Sequence, residues 1–144
     1  AVSGAGGAAF LVTVDMGDAD RRAPVSILGA HLKSPTTPLY HRQRNLQLAQ
    51  LARIAREHPW PLLVMGDLNA TQFSPAFRRM LRDSGLRACA GQTLQPTWPV
   101  KFPPLWVSID HCLASPGLRT EAFTVGPDVG SDHFPLMITA RPAG

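Results

Sequence analysis

Four short clusters of polar residues each lie at the end of an apolar run of the chain. They are Gly-Ala-His-Leu at residues 29–32, Gly-Asp-Leu-Asn at 66–69, Ser-Ile-Asp-His at 108–111 and Gly-Ser-Asp-His at 130–133. Carboxylate and amide oxygens suit hard cations such as Mg²⁺, and histidines tuned by a carboxylate transfer protons near neutral pH. Phosphate-ester hydrolysis needs a cation to neutralise the phosphoryl oxygens and a group that positions or deprotonates water. The clusters therefore predict phosphoester chemistry.

Each cluster taken alone also has a purely structural explanation. Asp-x-Asn after a strand is commonly a turn that hydrogen-bonds its own backbone. His31 at a strand end fits a core or surface histidine, and Asp110-His111 fits a solvated turn. Catalysis is favoured because all four clusters occur in one short chain, at equivalent positions of predicted strands.

The apolar runs and their breakers predict the elements that must position these clusters. Strands are expected at 10–14 and 25–30, joined by a turn at 17–20, and again at 62–65, 105–113, 118–125 and 135–140. Thr37-Pro38 and Ser74-Pro75 are typical helix starts, and they predict helices from about 37 to 58 and from 74 to 85. The region 86–104 is proline-rich and irregular. The order β-β-α-β-α-β-β-β predicts helices packed on the faces of a mixed sheet.

Composition limits the class of protein without naming a substrate. The chain has 144 residues, 44% hydrophobic, which suits one folded domain. Its net charge is +4 and arginine dominates the positive residues, which favours anionic partners, although coding bias explains abundant arginine equally well. Two cysteines without CxxC spacing argue against a zinc knuckle and leave open a single disulfide between Cys89 and Cys112. No apolar run approaches the roughly 18 residues that span a bilayer.

The order of the motifs resembles one known family. It is similar to the second half of an endonuclease/exonuclease/phosphatase domain. The motifs that carry the resemblance are, in chain order, a strand ending in His-Leu, a helix carrying Arg44 and Gln47, Gly-Asp-Leu-Asn, Ile-Asp-His and Ser-Asp-His. The resemblance covers about residues 10–140 of a single partial domain at 1–144. It implies an α/β (α+β) fold, the DNase I-like four-layer sandwich of two mixed β-sheets flanked by helices, of which this chain is expected to hold the C-terminal half.

The same resemblance implies roles for the catalytic candidates. Asp67 is expected to orient or activate the attacking water, with Asn69 beside it on the phosphate. His133 is expected to bind the phosphate and transfer a proton while Asp110 holds its imidazole. His31 matches a histidine on the opposite side of the phosphate in some nuclease-like and lipase-like members.

The remaining implied roles concern the metal and the anion. The metal is expected to be Mg²⁺ (or Mn²⁺), held by Asp67, Asn69 and Asp132. Arg44 is expected to reach the phosphate from its helix, although an arginine on a helix is more often simply solvated.

One departure from the family pattern affects the expected metal site. Family members carry a glutamate ligand, typically in a Gln-Glu pair, and an asparagine on the first strand, both in a preceding half-domain. Glu57 and Glu121 are the only glutamates here, and neither lies in such a motif. Together with the start at Ala1-Val2-Ser3-Gly4, this leads us to expect that the N-terminal half of the domain is missing and that the chain alone has little activity.

The function expected from the sequence is divalent-metal-dependent hydrolysis of phosphoester bonds, by a phosphodiesterase or nuclease or by a phosphatase. The alternative is a non-catalytic, degenerate module that binds phosphate or nucleic acid. Carboxylates beside an anion favour catalysis, because they repel phosphate unless a cation intervenes. The substrate, whether nucleic acid, inositol phosphate or phospholipid headgroup, is not distinguished by the motifs.

Overall fold

The structure is a computed structural model that describes residues 7–17, 22–59, 61–90, 92 and 95–143. The segment at Ala1 to Gly4 and residues 18–20 of the expected turn lie outside the described residues.

The first two strands form the expected hairpin. Strand β1 (Ala8–Asp15) pairs antiparallel with β2 (Pro24–His31), with Ala8 opposite His31 and Asp15 opposite Pro24. This prediction is confirmed, and each strand is longer by one or two residues at each end than the apolar run alone indicated. The antiparallel register places His31 at one end of the hairpin.

A helical crossover brings the third strand beside the second. Helix α1 (Pro38–Glu57) begins after Thr37, whose side chain accepts a hydrogen bond from the backbone N–H of Tyr40 at 3.1 Å. It leads to β3 (Leu62–Asp67), which pairs parallel with β2. Because parallel strands run the same way, their carboxyl ends, His31 and Asp67, lie at the same edge of the sheet.

The next segments complete the larger sheet. Helix α2 (Pro75–Ser84) ends at Gly85, and β4 (Arg87–Ala88) and β5 (Asp110–Ala114) follow. Strand β5 runs antiparallel to β3 with Asp110 opposite Asp67, so the five-stranded sheet has the order β1-β2-β3-β5-β4. The strand predicted from residue 105 was wrong at its start, because a 3₁₀ turn occupies Pro103–Leu105, where two prolines lack the N–H groups a strand needs.

Two further strands form a separate small sheet. Strands β6 (Leu118–Val125) and β7 (Leu136–Pro142) pair antiparallel. Alternate residues of β3 show how the layers stack: Leu62 and Val64 belong to the apolar cluster shared with the helices, whereas Leu63 belongs to the cluster shared with β6. The described residues therefore form three layers, namely helices, a mixed sheet and a small sheet. The expected α+β class is confirmed, with the second sheet limited to two strands in this part of the chain.

Two further features bear on the expectations from composition. Cys89 and Cys112 form a disulfide, with Cα atoms 5.5 Å apart, so the pairing that the sequence left open is present. Among the described residues, no helix combines the length and the apolar character needed to cross a membrane.

Candidate active site

The predicted site residues gather at the edge of the larger sheet where β2 and β3 end and β5 begins. A cleft of about 870 Å³ opens there, and an adjoining groove of about 770 Å³ runs between the two sheets. His31, Asp67 and His133 line both. The cleft is further lined by Arg44, Asn69 and Asp132, and the groove by Asp110. All seven residues named from the sequence therefore face this region.

His133 and Asp110 form the closest pair of titratable groups in the site. His133 Nδ1 lies 2.8 Å from Asp110 Oδ2. Because an ionised carboxylate only accepts hydrogen bonds, Nδ1 carries the proton and donates it. The neutral imidazole then has its lone pair on Nε2, the nitrogen able to take a proton from water or return one to a leaving group.

Asp67 and Asn69 form a closed turn at the end of β3. The backbone N–H of Asn69 donates to Asp67 Oδ1 at 2.7 Å, and its side-chain amide donates to Asp67 Oδ2 at 2.8 Å and to the Leu32 carbonyl at 3.0 Å. Asn69 has a left-handed φ of 47°, which asparagine tolerates better than most residues. The structural explanation of Asp-x-Asn and the functional one are therefore compatible, because the carboxylate that closes the turn also lines the cleft.

Burial sets the proton affinity of Asp67. Desolvation raises the pKa of its carboxyl above the usual 3.8, the Asn69 N–H opposes this, and the negative charge of Asp110 raises the pKa further. His31 lies opposite, with Nε2 3.6 Å from Asp67 Oδ2, too far for a direct hydrogen bond. A single water molecule or ligand oxygen bridging His31 and Asp67 would contact both groups.

Arg44 is buried rather than solvated, so the simpler alternative for this residue was wrong. Its side chain is only 4% exposed, Nε donates to Asn45 Oδ1 at 2.9 Å, and Nη1 donates to the Asn69 carbonyl. Burial lowers the pKa of its guanidinium. Within the described ranges, no carboxylate forms an ion pair with it. A buried cation without a carboxylate leaves positive charge at the cleft wall for an anion.

The described residues supply only part of a ligand set for a hard cation. Asp132 is exposed, and its Oδ2 accepts a hydrogen bond from Trp98 Nε1 at 3.3 Å. Both carboxylate oxygens of Asp67 already accept from Asn69. In the part of the chain that is described, no three or more His, Cys, Asp or Glu side chains are grouped as metal ligands would be. The metal site expected at Asp67, Asn69 and Asp132 therefore stays a prediction.

Several residues support the site although the sequence assigned them no role in it. Thr97 is fully buried, and its Oγ1 accepts hydrogen bonds from the backbone N–H groups of Ile109 and Asp110. Gln47 Oε1 accepts from the backbone N–H of Lys33 at 2.8 Å, just after His31. His111 is 2% exposed, and burial lowers the pKa of its imidazole. The clue in the sequence was their position beside the motifs, which does not by itself reveal burial.

The chain matches a known protein family. The model of the Endonuclease/Exonuclease/phosphatase family matches residues 5–133. The chain belongs to this family. Enzymes of this family hydrolyse phosphoester bonds and generally use divalent metals. Among curated proteins, none matches the chain significantly.

Solved structures of the same fold are similar over nearly the whole chain. A family member from Bacteroides vulgatus is 15% identical with a TM-score of 0.76, covering 94% of this chain and 55% of that one. Another from Beutenbergia cavernae is 20% identical, with a TM-score of 0.68 and coverage of 97% and 45%. The human nocturnin catalytic domain with bound sulfate is 20% identical, with a TM-score of 0.63 and coverage of 94% and 53%. The chain thus spans about half the length of these structures.

Proposed function

We propose that the protein carrying this chain hydrolyses phosphoester bonds with the help of a divalent metal. The observation that carries the proposal is the 2.8 Å contact between His133 Nδ1 and Asp110 Oδ2 at the same sheet edge as the partly buried carboxylate of Asp67. Family membership supports the reaction class. The nocturnin domain that shares the fold holds a sulfate anion, which resembles phosphate in charge and shape.

His133 is proposed as the proton-transfer group. Asp110 fixes the ring with the proton on Nδ1, which leaves Nε2 free to exchange a proton with the leaving oxygen or with water. Asp110 in turn is held through its backbone N–H, which donates to Thr97 Oγ1 at 3.2 Å. The His133 imidazole, when doubly protonated, would also direct an N–H donor at Nε2 toward the phosphoryl oxygens.

Asp67 is proposed to orient the attacking water. Its two hydrogen bonds from Asn69 fix the plane of the carboxylate, so a water on its free lone pairs has a defined direction. His31 faces Asp67 across 3.6 Å and is largely exposed, which suits contact with the opposite side of the substrate phosphate.

Arg44 is proposed to stabilise the bound anion. Its buried guanidinium donates a hydrogen bond to the Asn69 carbonyl and lines the cleft. Asn69 would then contact the phosphate only by rearranging, because its amide already donates to Asp67 and to the Leu32 carbonyl.

Asp67, Asn69 and Asp132 are proposed as a partial site for Mg²⁺ or Mn²⁺. The cation, when bound, would neutralise phosphoryl oxygens. Among the described residues, no group of three or more His, Cys, Asp or Glu side chains surrounds this position.

The test is hydrolysis by the natural full-length protein of a phosphodiester and a phosphomonoester, each with Mg²⁺ and with chelator. Turnover is expected with the metal and is lost with chelator. His133→Ala and Asp67→Ala should each lower turnover by about 10²–10⁴-fold with little change in Tm. The exposed residues Asp83 and Arg42 provide controls, and Asp83→Ala and Arg42→Ala should retain activity. A fall of less than about tenfold in either site variant would remove that residue from the mechanism.

One observation favours a second candidate, a non-catalytic module that binds phosphate or nucleic acid: among the described residues, no carboxylate forms an ion pair with the buried Arg44. It differs from the first in two measurements. A binder would hold phosphate or a short oligonucleotide with an affinity that chelator does not change, and it would show no turnover of either ester.

A further inference from the structure

His111 is buried directly beneath the turn that carries Asp67 and Asn69. Its side chain is 2% exposed, and its ring packs against Phe77 with ring centroids 4.3 Å apart. It lies on β5 next to Asp110, on the opposite face of the strand, and it does not line the cleft. A histidine is a costly choice for such a position, because both ring nitrogens need partners once water is excluded.

Both ring nitrogens do have partners. Nε2 lies 2.7 Å from the backbone carbonyl of Ala70, and Nδ1 lies 2.9 Å from Gln92 Nε2. Gln92 Oε1 in turn accepts the backbone N–H of Cys112 at 3.0 Å. The chain of hydrogen bonds therefore links the backbone of β5, through two side chains, to the backbone of the Asp67 turn.

The direction of every hydrogen bond in this chain follows from its two ends. The Cys112 N–H only donates, so Gln92 must present its oxygen there and its amide N–H to His111. The Ala70 carbonyl only accepts, so His111 Nε2 carries the ring proton and Nδ1 accepts from Gln92. These assignments are mutually consistent for a neutral imidazole in a single tautomer. A phenylalanine or leucine of similar size would fill the space and satisfy none of these groups.

The anchored carbonyl belongs to the segment whose conformation places the proposed catalytic groups. Ala70 directly follows Asn69, which holds a left-handed φ of 47° and closes the turn onto Asp67. Arg44 donates to the Asn69 carbonyl from the other side. The Leu68 N–H donates to the Ile109 carbonyl at 3.0 Å. Among the described residues, the His111 contact is the hydrogen bond that ties the Ala70 end of this turn to β5.

We propose that His111 is a positioning residue, which acts with Gln92 by holding the Ala70 carbonyl and so keeps Asp67 and Asn69 aligned with the His133–Asp110 pair. The expected effect of His111 on turnover rests on the proposed function. Its expected effect on the conformation of the Asp67 turn does not. Groups that orient active-site ligands from behind typically change activity by about 10–100-fold when removed.

The test compares His111→Phe with His111→Gln in the natural full-length protein. Phenylalanine keeps the ring against Phe77 and removes both polar contacts, whereas glutamine can still donate an N–H to the Ala70 carbonyl. His111→Phe should lower kcat for a generic phosphodiester by about 10–100-fold with KM changed much less, and His111→Gln should recover most of the loss. Val25→Ala is the control for destabilisation alone, because Val25 is buried at the far end of β2, and it should keep full kcat.

A second readout does not depend on turnover. Amide hydrogen exchange of Leu68, Asn69 and Thr71 should accelerate in His111→Phe and remain near that of the parent in His111→Gln. If His111→Phe does not fold, Gln92→Leu takes its place, since it removes only the donor to Nδ1 and should cause a smaller loss in the same two measurements.

The outcomes separate the two proposals. If the parent hydrolyses no phosphoester while exchange responds as described, the proposed function fails and the positioning of the turn by His111 stands. If kcat and exchange are unchanged in His111→Phe, or if His111→Gln and Val25→Ala lose as much kcat as His111→Phe does, His111 has no positioning role.

Discussion

At the scale of single residues, the site depends on which charges the fold buries together. Asp67 and Asp110 lie opposite one another in the β3–β5 register, so two carboxylates share one sheet edge. His133 and His31 moderate this repulsion, and their charges lower the pKa of the Asp67 carboxyl, but desolvation outweighs them. The net result is a carboxyl that keeps its proton to a higher pH than a free aspartate does.

This gives a prediction for pH dependence. Because the folded-state pKa of Asp67 is raised, the group favours the folded state at low pH, and that contribution is lost as pH rises through the folded pKa. This raised pKa belongs to the metal-free protein, and the proposed metal needs the carboxylate, so the affinity for Mg²⁺ should fall as pH drops through this pKa. Carboxyl-carbon NMR titration of Asp67 measures this pKa directly. Asp110→Asn, which removes a like charge, should lower that pKa, and an Asp67 pKa at or below 3.8 in the parent protein would contradict the account.

The convergence of Asp67, Asn69, Asp110, His133 and His31 could be predicted from the sequence, because each lies at the end of an apolar run and strand ends share an edge. The partners of Arg44 and His111 could not. Arg44 donates to the carbonyl of Asn69, which is 25 residues away along the chain. The His111 acceptor, Ala70, is 41 residues away along the chain. Such contacts follow from the register of strands, which local patterns do not specify.

At the scale of elements, the end of β3 depends on a close approach between two strands. Gly66 has φ 131°, and a Cβ there would lie 2.2 Å from the Ala30 carbonyl oxygen. Only glycine permits both the backbone conformation and the contact. Gly66 is therefore required for β3 to deliver Asp67 beside His31.

Gly66→Ala should destabilise the fold by about 3 kcal/mol or more, because strain and a backbone clash add. Gly85→Ala is a matched control, since Gly85 also has a positive φ, 73°, but no atom within 4 Å of a built Cβ. It should cost only about 1–2 kcal/mol, the penalty of a left-handed residue. Urea unfolding measures both, and equal losses would show that the Ala30 contact has no effect.

The Cys89–Cys112 disulfide ties β5 to the end of the β4 segment, across a sequence separation of 23 residues. Closing a loop of this size should stabilise the folded state by about 3 kcal/mol, mainly by restricting the unfolded chain. Replacing both cysteines by alanine should lower the free energy of unfolding by about this amount. In the parent protein, a thiol assay under denaturing, non-reducing conditions should find no free thiols. A parent with two reactive thiols would show that the bridge does not form.

Element boundaries were predictable where the chain carries explicit stop and start residues. The two helices begin after Thr37 and Ser74, each with a proline at its first position, and the second helix ends at Gly85, as these residue types indicated. The strand before Asp110 was extended too far, because Leu105, Trp106 and Val107 are apolar but follow two prolines. The disulfide could not be predicted, since it needs β4 and β5 to be paired before the two cysteines meet.

At the scale of the whole molecule, the described layers leave apolar surface uncovered. Strand β1 lies at the edge of the five-stranded sheet, and side chains on both of its faces are exposed, with Phe10 at 64%, Leu11 at 50% and Val12 at 48%. The adjoining groove between the two sheets is open and lined mostly by apolar residues. The α+β class could be predicted, and the described residues form three of the four expected layers, but how much of the second sheet this chain supplies depends on strands that must pair with β6 and β7.

An exposed, apolar edge strand is a template for pairing with another chain, and natural proteins usually protect such edges with charge or cover. We therefore expect these 144 residues, expressed alone, to dimerise or aggregate through β1, with little metal-dependent hydrolysis.

Val12→Lys should suppress the association, because it places a charge in the middle of the edge. Leu46→Lys is the matched control, since Leu46 is 71% exposed on α1, and it should leave association unchanged. Sedimentation velocity across a concentration series distinguishes the two variants. A parent chain that stays monomeric throughout, with full chelator-sensitive turnover, would show that the exposed β1 surface needs no partner and that the site is complete without further ligands.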